Sequence, residues 1–598
     1  MPFDGLVLAA VRKELEDKLT GGRIERVYQP DKEELIISVH RPGARHRLLL
    51  SANAQNARAH LTTSVRENPS APPLFCMVLR KHLEGGRINA FEQPGLERML
   101  VIKVDSRDEL GSAVQKHLIC EIMGKHSNII LVDASTNLII DGIKRYSHTV
   151  SRYREVLPGR SYLPPPSQNK LNPFLVDEEQ FRFACLKAPL ETTLPDLLQK
   201  RFEGLSGATC REILYRANLS PDITLNDCGD YELRTLWDTF QKVMNPASRG
   251  SFEPCLTADQ KGRLIDFAAV NLNVTGQNQK FGKMNDLLDI FFAERVRLEK
   301  LSGDRGALLS HLNKEISRLE RKLDLYAESL ADTAGAEKLK LYGELITANL
   351  YRLNKGLDQV FLENYYKEGS PIVAVSLDPL LTPVQNSQLY FKKYLKAKNT
   401  RDALESRTVQ TREELDYLEG VKTAVELATS LSELDEVRRE LVEQGYLKQP
   451  PPRKESSKVK KEKYSPRPFS FHSSDGYQIF VGKNNKQNDY LTLKIAREDD
   501  VWMHAKHIPG AHVIIRTGGK ELPSTTLEEA AGLAAFFSKG RGSKSVQVDY
   551  TLKKHVHKPR GARPGSVVYE RHKTIIASPD EEAAERLKDP EPGQSDSL

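Results

Sequence analysis

Residues 308–330 read LLSHLNKEISRLERKLDLYAESL. In them Leu308, Leu312, Ile316, Leu319, Leu323, Tyr326 and Leu330 recur at steps of four and three, while Lys314, Arg318, Glu320, Arg321 and Glu328 fill the other faces. That spacing predicts a coiled-coil seam. A second limb carries Leu415, Leu418, Val421, Val425, Ala428, Leu431, Leu434 and Leu441 at helical spacing, and between the limbs Gly369, Pro371, Pro379 and Pro383 forbid a continuous helix. The chain therefore turns there, and the limbs can return antiparallel. At about 1.5 Å per residue, limbs of roughly forty residues hold their tip on the order of 60 Å from their base. The alternative is two helices of a compact bundle, but charges flank the seam on both sides, and a buried bundle helix carries a wider apolar face.

Working outward, 598 residues exceed what one hydrophobic core supports, so several domains are expected. No apolar run is long enough for a membrane span, and the first residues, MPFDGLVLAAVRKELEDKL, are amphipathic and carry acids, unlike a secretory signal. A cytoplasmic protein is expected. Cys76, Cys120, Cys185, Cys210, Cys228 and Cys255 are scattered without a C-x-x-C pair, which points to neither a zinc site nor a disulfide framework. The net charge of +7 is modest, but its distribution is uneven. Arg453, Lys454, Lys458, Lys460, Lys461 and Lys463 crowd one linker, Lys553, Lys554, His555, His557, Lys558, Arg560 and Arg563 crowd a second segment, and the chain ends acidic and polar. Such clusters attract phosphate backbones, or serve only as solvated linkers.

Before the arm, residues 1–175 read as a mixed α/β domain. A helix over 6–19 is stopped by Gly21-Gly22, a second over 73–83 is stopped by Gly85-Gly86, and strands are expected at 23–29, 34–40, 47–51, 88–93, 98–104, 117–123 and 129–133. The helix-Gly-Gly-Arg-Ile-strand pattern occurs twice, at Gly21–Ile24 and Gly85–Ile88, a candidate internal duplication. Residues 176–284 read as helical and polar. There Phe202-Glu203-Gly204-Leu205-Ser206-Gly207 looks like a helix-hairpin-helix turn whose amides can approach phosphate, or an ordinary tight turn. The arm occupies 285–445 and a basic linker 446–463. A compact module over 464–570 has strands at 467–472, 478–482, 500–504 and 512–516, a helix over 527–538 and a last strand at 545–551, with a polar acidic tail over 571–598.

Three places offer chemistry. Gly95-Leu96-Glu97-Arg98 and Glu121-Ile122-Met123-Gly124-Lys125 are turns at strand ends, and an acid beside an arginine can accept from a base amine and donate to a base edge or phosphate. A surface ion pair is the alternative. In the last module Trp502, His504, Lys506, His507 and His512 combine rings and cations, a composition that suits stacking on bases and pairing with phosphate. Core packing of Trp502 is the alternative there, and the histidine spacing does not favour a metal. No nucleophile elbow, Walker loop, Rossmann glycine pattern or zincin motif occurs, so no cofactor, metal or catalytic residue is expected.

At these residues the chain resembles the RqcH/NEMF family of ribosome-associated quality-control factors, the NFACT proteins. The resemblance runs through Phe3-Asp4-Gly5, Gly21–Ile24, Asn68-Pro69, Phe75-Cys76-Met77, Leu79–His82, Glu121–Asn128 and Asp500–His512. It implies a multidomain α+β protein: a MutM-N-like NFACT-N domain, a helix-hairpin-helix domain, an antiparallel coiled-coil arm with a small middle domain, and a C-terminal α+β NFACT-R domain. The implied function is binding of obstructed large ribosomal subunits, at 23S rRNA and the stalk-base region, that carry peptidyl-tRNA and a nascent chain. Charged tRNA(Ala) is recruited there for alanine tailing without mRNA, which marks the chain for degradation, and the ribosome forms the peptide bond. An S4-domain co-factor such as RqcP is an implied partner, and no membrane is. The family's tRNA-facing Asp-Arg pair falls on Glu97 and Arg98, and its second turn on Glu121, Ile122, Met123, Gly124 and Lys125, with lysine where relatives carry arginine. Two alternatives accompany this reading. The family has been labelled a fibronectin-binding adhesin, which implies surface display. The N-terminal half is also similar to MutM-type glycosylases, in which Pro2 would be the amine nucleophile, but Phe3 stands where that chemistry wants a glutamate.

Overall fold

The computed structural model describes residues 3–108, 110–149, 153–260, 262–274, 277–449 and 467–589, and divides into two units, Met1–Arg297 and Leu298–Leu598. Pro2, the lysine-rich linker at 453–463 and the acidic end from 590 lie outside the described residues.

In the first unit, helix α1 (Gly5–Leu19) starts because the Asp4 carboxylate accepts from the Val7 amide at 2.9 Å, and it buries Leu6, Val7, Leu8, Val11, Leu15 and Leu19. Four strands follow, β1 (Arg23–Asp31), β2 (Glu34–Arg41), β3 (Ala44–Ser51) and β4 (Arg58–Leu61). After helix α2 (Leu74–Leu83) come β5 (Arg87–Glu92), β6 (Met99–Arg107), β7 (Ala113–Glu121), β8 (Asn128–Asp133) and β9 (Ile139–Gly142). They form one nine-stranded sheet in the order β4-β3-β2-β1-β5-β6-β7-β8-β9. Each half is a helix followed by an antiparallel meander, and the halves join where β1 meets β5.

The joint is reciprocal. The Gly21 amide donates to the Ile88 carbonyl at 2.8 Å and Ile88 returns a bond to Gly22 at 3.0 Å; Gly85 donates to Ile24 at 2.8 Å and Ile24 returns a bond to Gly86 at 2.9 Å. Gly21 and Gly85 have φ of +77° and +86°, conformations in which a Cβ crowds the backbone. The repeated Gly-Gly-Arg-Ile is thus a matched pair of helix stops whose freed backbone groups satisfy each other.

Helices α3 (Glu178–Leu186), α4 (Leu194–Arg201), α5 (Gly207–Arg216) and α6 (Asp230–Ser248) follow. The wholly helical reading of this stretch is corrected by a three-stranded sheet of β10 (Cys255–Ala258), β11 (Leu264–Ala268) and β12 (Gln277–Lys280). Its strands have four or five residues and β12 is exposed throughout, so no apolar alternation announced them. Helix α7 (Met284–Asp332) is rooted on the first sheet: Asn285 accepts from the Leu61 amide at 2.6 Å, and Asp289 from the Thr62 hydroxyl at 2.6 Å.

In the second unit, Leu301, Leu308, Leu312, Ile316 and Leu319 of α7 pack on Tyr417, Leu418, Val421 and Val425 of α9 (Pro383–Leu427). Arg305 reaches the Ala428 carbonyl while Lys314–Leu325 share a groove with Glu414, so the limbs run antiparallel. The second limb is not one helix. It stops at Leu427, and α10 (Leu431–Glu443) starts afresh on the Ser430 cap, folding Leu434, Val437 and Leu441 onto the same core. Between the limbs, α8 (Ala336–Ala348) covers a hairpin of β13 (Gln359–Glu363) and β14 (Ile372–Ser376), around Leu345, Ile346, Val360, Leu362 and Val375.

The last module is a six-stranded sheet, β15 (Phe469–His472), β16 (Gln478–Val481), β18 (Val513–Ile515), β17 (Val501–Ala505), β19 (Val546–Leu552) and β22 (Lys573–Ala577), under helix α12 (Ser524–Phe536). A short ladder of β20 (Val556–His557) and β21 (Val568–Tyr569) stands beside it. Strand β19 was expected to be last and residues from 571 a tail. Instead β22 closes the sheet edge and α13 (Glu581–Leu587) packs against α12. The module also meets α10 through α11 (Asn485–Tyr490): Lys483 pairs with Glu433 at 2.9 Å, Asn485 bonds Glu440 at 3.1 Å, and Gln487 bonds Glu436 at 2.7 Å.

The reciprocal joint generates a paired prediction. Gly21→Ala and Gly85→Ala should each cost about 1–2 kcal/mol, because each places an L side chain in the left-handed region. Urea unfolding should show losses of similar size at the two positions.

Candidate nucleic-acid interface

Strand β6 starts directly after the turn Pro94–Arg98, and β7 ends directly before the turn Ile122–Ser127. Met99 pairs with Glu121, and the Ile122 amide donates to the Arg98 carbonyl at 2.8 Å. The two turns singled out in the sequence therefore leave the sheet side by side. The first closes by a bond from the Glu97 amide to the Pro94 carbonyl at 3.0 Å, with Gly95 at φ +55°.

A third turn joins them, Phe202–Ser206 between α4 and α5. The Leu96 amide donates to Glu203 Oε2 at 3.1 Å, and the Leu6 amide to the Gly204 carbonyl at 3.2 Å. A Cβ on Gly5 would lie 2.0 Å from the Leu96 carbonyl oxygen and 2.5 Å from Gly204 Cα, so only glycine permits this approach. Of the amides in this turn, read as able to approach phosphate or as part of an ordinary tight turn, that of Ser206 donates to Asp4 at 3.1 Å. What remains is an open cleft of about 260 Å³, lined by Glu97, Arg98, Gln168, Lys170, Gln199 and Glu203. Its walls offer donors and acceptors, not rings, which suits hydrogen-bonded recognition of base edges and phosphate.

Burial pushes the Asp4 carboxyl up to about 6, against the hydrogen bonds from Val7, Ser206 and Thr209 that favour its charge. Glu97 is also raised, first by burial and then by the charge of Glu203, with Lys170 and Arg98 opposing. Asp4, Gln168, Lys170, Gln199 and Glu203 were not among the sequence candidates for this site. Asp4 had a signal, an acid just ahead of an apolar helical run, and Glu203 lies in the turn already marked between two helices; Gln168, Lys170 and Gln199 have none in their local sequence.

In the second turn the five candidates divide. Glu121 and Ile122 are fully buried, Met123 and Gly124 are half-buried, and Lys125 is exposed. Arg154 Nη1 donates to Glu121 at 2.7 Å and the Tyr162 hydroxyl donates at 2.9 Å. The Glu121 and Ile122 side chains thus hold the turn from inside, and the surface offered outward is that of Met123 to His126.

The stacking surface expected in the C-terminal module is corrected by its geometry. Trp502 is fully buried, stacked on His504 with centroids 5.8 Å apart and edge-on to His512 at 5.2 Å. Alternation along β17 turns Trp502 and half-buried His504 to one face, but Leu491, Ile514 and Val556 surround that Trp502 face. Burial lowers His504 to about 4 and pushes His512 well below the ordinary imidazole value, so both are neutral rings of the core at neutral pH. His507 is exposed at φ +54° and Lys506 is half-buried, bonded to Thr574 at 3.3 Å. Within the second basic segment Arg563 lies over Tyr417 and donates to the Tyr446 hydroxyl at 2.7 Å, and Lys558 pairs with Asp489. Lys554, His557 and Arg560 are exposed.

Comparison with known proteins bears on both regions. A family model for NFACT N-terminal and middle domains matches residues 4–463, and one for the NFACT protein RNA binding domain matches 467–571. The chain is 38% identical over 593 residues to the Rqc2 homolog RqcH of Bacillus subtilis (strain 168), covering 98% of this chain and 100% of that protein. It is 37% identical over 589 residues to the Rqc2 homolog RqcH of Streptococcus suis (strain 05ZYH33), covering 98% and 100%. Among solved structures, the N-terminal part of the fibronectin/fibrinogen-binding protein from Streptococcus suis is 33% identical over 49% of this chain and 99% of that one, with a TM-score of 0.41.

The buried Glu121–Arg154 pair yields a stability prediction. Arg154→Ala leaves a carboxylate in the interior with, among the described residues, only the Tyr162 hydroxyl to answer it, and should cost about 3–5 kcal/mol in denaturant unfolding. A loss below about 1 kcal/mol, the range of exposed pairs, would show that Glu121 is solvated.

Proposed function

The chain belongs to the NFACT family, in its RqcH/Rqc2 branch, and on that premise we propose that it works in ribosome-associated quality control. It binds large ribosomal subunits obstructed by peptidyl-tRNA and recruits charged tRNA(Ala), so that the stalled chain receives a C-terminal alanine tail without mRNA and is marked for degradation. The observation that carries the reading is the meeting of the Glu97–Arg98 turn and the Met123–Lys125 turn at one end of one sheet.

In this reading the protein positions and the ribosome reacts. The Arg98 guanidinium supplies a fork for a base edge or phosphate, the Glu97 carboxylate accepts from an exocyclic amine, and Lys125 adds a point charge from the adjacent turn. Buried Glu121 and Ile122 keep that turn in place. Holding an aminoacylated end in register can by itself contribute several kcal/mol, which leaves peptide bond formation to the ribosomal centre. The exposed Lys554, His557 and Arg560 of the C-terminal module, with the long α7–α9 limbs, suit contact with the phosphate-rich subunit surface.

Arg98→Ala should weaken tRNA binding by about five- to 150-fold, the range for one lost base contact of 1–3 kcal/mol. Co-sedimentation with large subunits should persist, and Glu97→Asp should match or exceed the parent in non-templated tailing of a stalled chain. Normal tailing by the Glu97→Ala/Arg98→Ala double variant, with the same bound tRNA, would reduce the pair to a surface ion pair. Recovery of the native protein with the cell envelope instead of large subunits would favour the adhesin alternative.

A further inference from the structure

We propose that Glu203, in the turn between α4 and α5, is a positioning residue for RNA recognition: its carboxylate fixes the turn that presents Glu97 and Arg98. The inference rests on the tRNA reading above, and assigns part of that site to the helical segment instead of the sheet domain alone.

The turn is held at its base: the Gln93 side-chain amide donates to the Gly5 and Glu97 carbonyls at 3.0 Å each, and the Ile122 amide to the Arg98 carbonyl at 2.8 Å. Gly95 sits at φ +55°, and the bond from Glu97 N to Pro94 O closes the loop on itself. The tie at Leu96, between these points, comes from Glu203. Its Oε2 accepts from the Leu96 amide at 3.1 Å, one residue from Glu97. A Cβ on Gly95 would stand 2.5 Å from the same oxygen, so the carboxylate occupies the space a side chain would need.

Glu203 is itself well anchored. Its amide donates to the Leu171 carbonyl at 2.9 Å, and the next carbonyl, of Gly204, accepts from Leu6. Opposite it, Lys170 donates to the Gln199 carbonyl at 3.0 Å, which sets an ammonium on the cleft wall. Recognition by Glu97 and Arg98 therefore draws on a hydrogen bond accepted by a residue that need not touch RNA. The reach of that bond is specific: aspartate is one methylene too short, whereas glutamine keeps both length and an acceptor oxygen.

The test compares full-length Glu203→Ala, Glu203→Asp and Glu203→Gln with Arg98→Ala, measuring affinity for unfractionated tRNA and co-sedimentation with large subunits. The expected order is parent close to Glu203→Gln, with Glu203→Asp and Glu203→Ala weaker by about tenfold, the upper end for one lost hydrogen bond. Subunit binding should be equal throughout. A second readout separates positioning from general support. Glu97 faces Glu203 and Lys170 across the cleft and Arg98 beside it, so removing the Glu203 charge in Glu203→Gln eases Glu97 ionisation. Asp4, which lines the same cleft and titrates at about 6, is unchanged in every variant, so the lower pH expected for loss of tRNA binding in Glu203→Gln than in the parent reports Glu97.

Loss of affinity in Arg98→Ala with full affinity in Glu203→Ala would overturn the inference and leave the tRNA reading intact. Full affinity in both would overturn the tRNA reading and the inference with it. Should Glu203→Ala fail to fold, the glutamine and aspartate variants decide: aspartate binding as well as or better than glutamine would show that charge, not reach, matters, and would end the positioning role.

Discussion

The Asp4 carboxylate, almost withdrawn from water, holds the first unit's working end together. It caps α1 through the Val7 amide and accepts from the Ser206 amide and the Thr209 hydroxyl of the next helical segment, so one side chain joins two helix N-termini. Burial lifts its titration to about 6, which records how strongly the site opposes a charge that these donors then recover. An N-cap alone contributes about 0.5–2 kcal/mol; here the same group also sets the distance at which Gly5 and Gly204 can meet. That approach puts the Glu203 carboxylate under the Leu96 amide. The cleft beside Glu97 and Arg98 is the result.

The second unit illustrates how far charge counts mislead about available surface. Several cations of the C-terminal module face carboxylates of α9 and α10: Lys483 meets Glu433, Lys539 meets Glu419 at 2.8 Å, and Arg563 approaches Glu414 at 3.7 Å. These groups serve the packing of module on helices. Other cations of the module stay outward, Lys494, Arg497, Lys544, Lys554, Arg560 and Lys573 among them. A polyanion bound by this module has those to meet, and its affinity carries the salt dependence that each neutralised phosphate brings.

Much of the fold was legible because it follows short rules. The four-three spacing of Leu308 to Leu319 found the seam, and the doubled Gly-Gly-Arg-Ile found both helix stops. What escaped were elements whose pattern is set by partners distant in sequence. Strand β12 is polar and exposed, β22 lies in a stretch that looks like a tail until it pairs with β19, and the break at Ala428 to Ser430 interrupts an unbroken apolar period by a cap. The candidate site was half legible. Glu97 and Arg98 stand at a turn that sequence could mark, but Lys170 and Glu203 reach them from over seventy residues away. Trp502 and His504 show the reverse error: ring and cation composition suggested a surface, while the neighbouring strands, Leu491 and Val556 make it a core.

The central claim is that the mouth formed by the turns at Glu97–Arg98 and Met123–Lys125 meets tRNA. The most direct measurement places a photo-crosslinking amino acid at Lys125, the exposed member of the second turn, and sequences the RNA attached after irradiation in cells. The account predicts tRNA, joined through a single-stranded loop, with the crosslink lost when Arg98→Ala is added. Ribosomal RNA in its place, or tRNA recovered equally with Arg98→Ala, would contradict it.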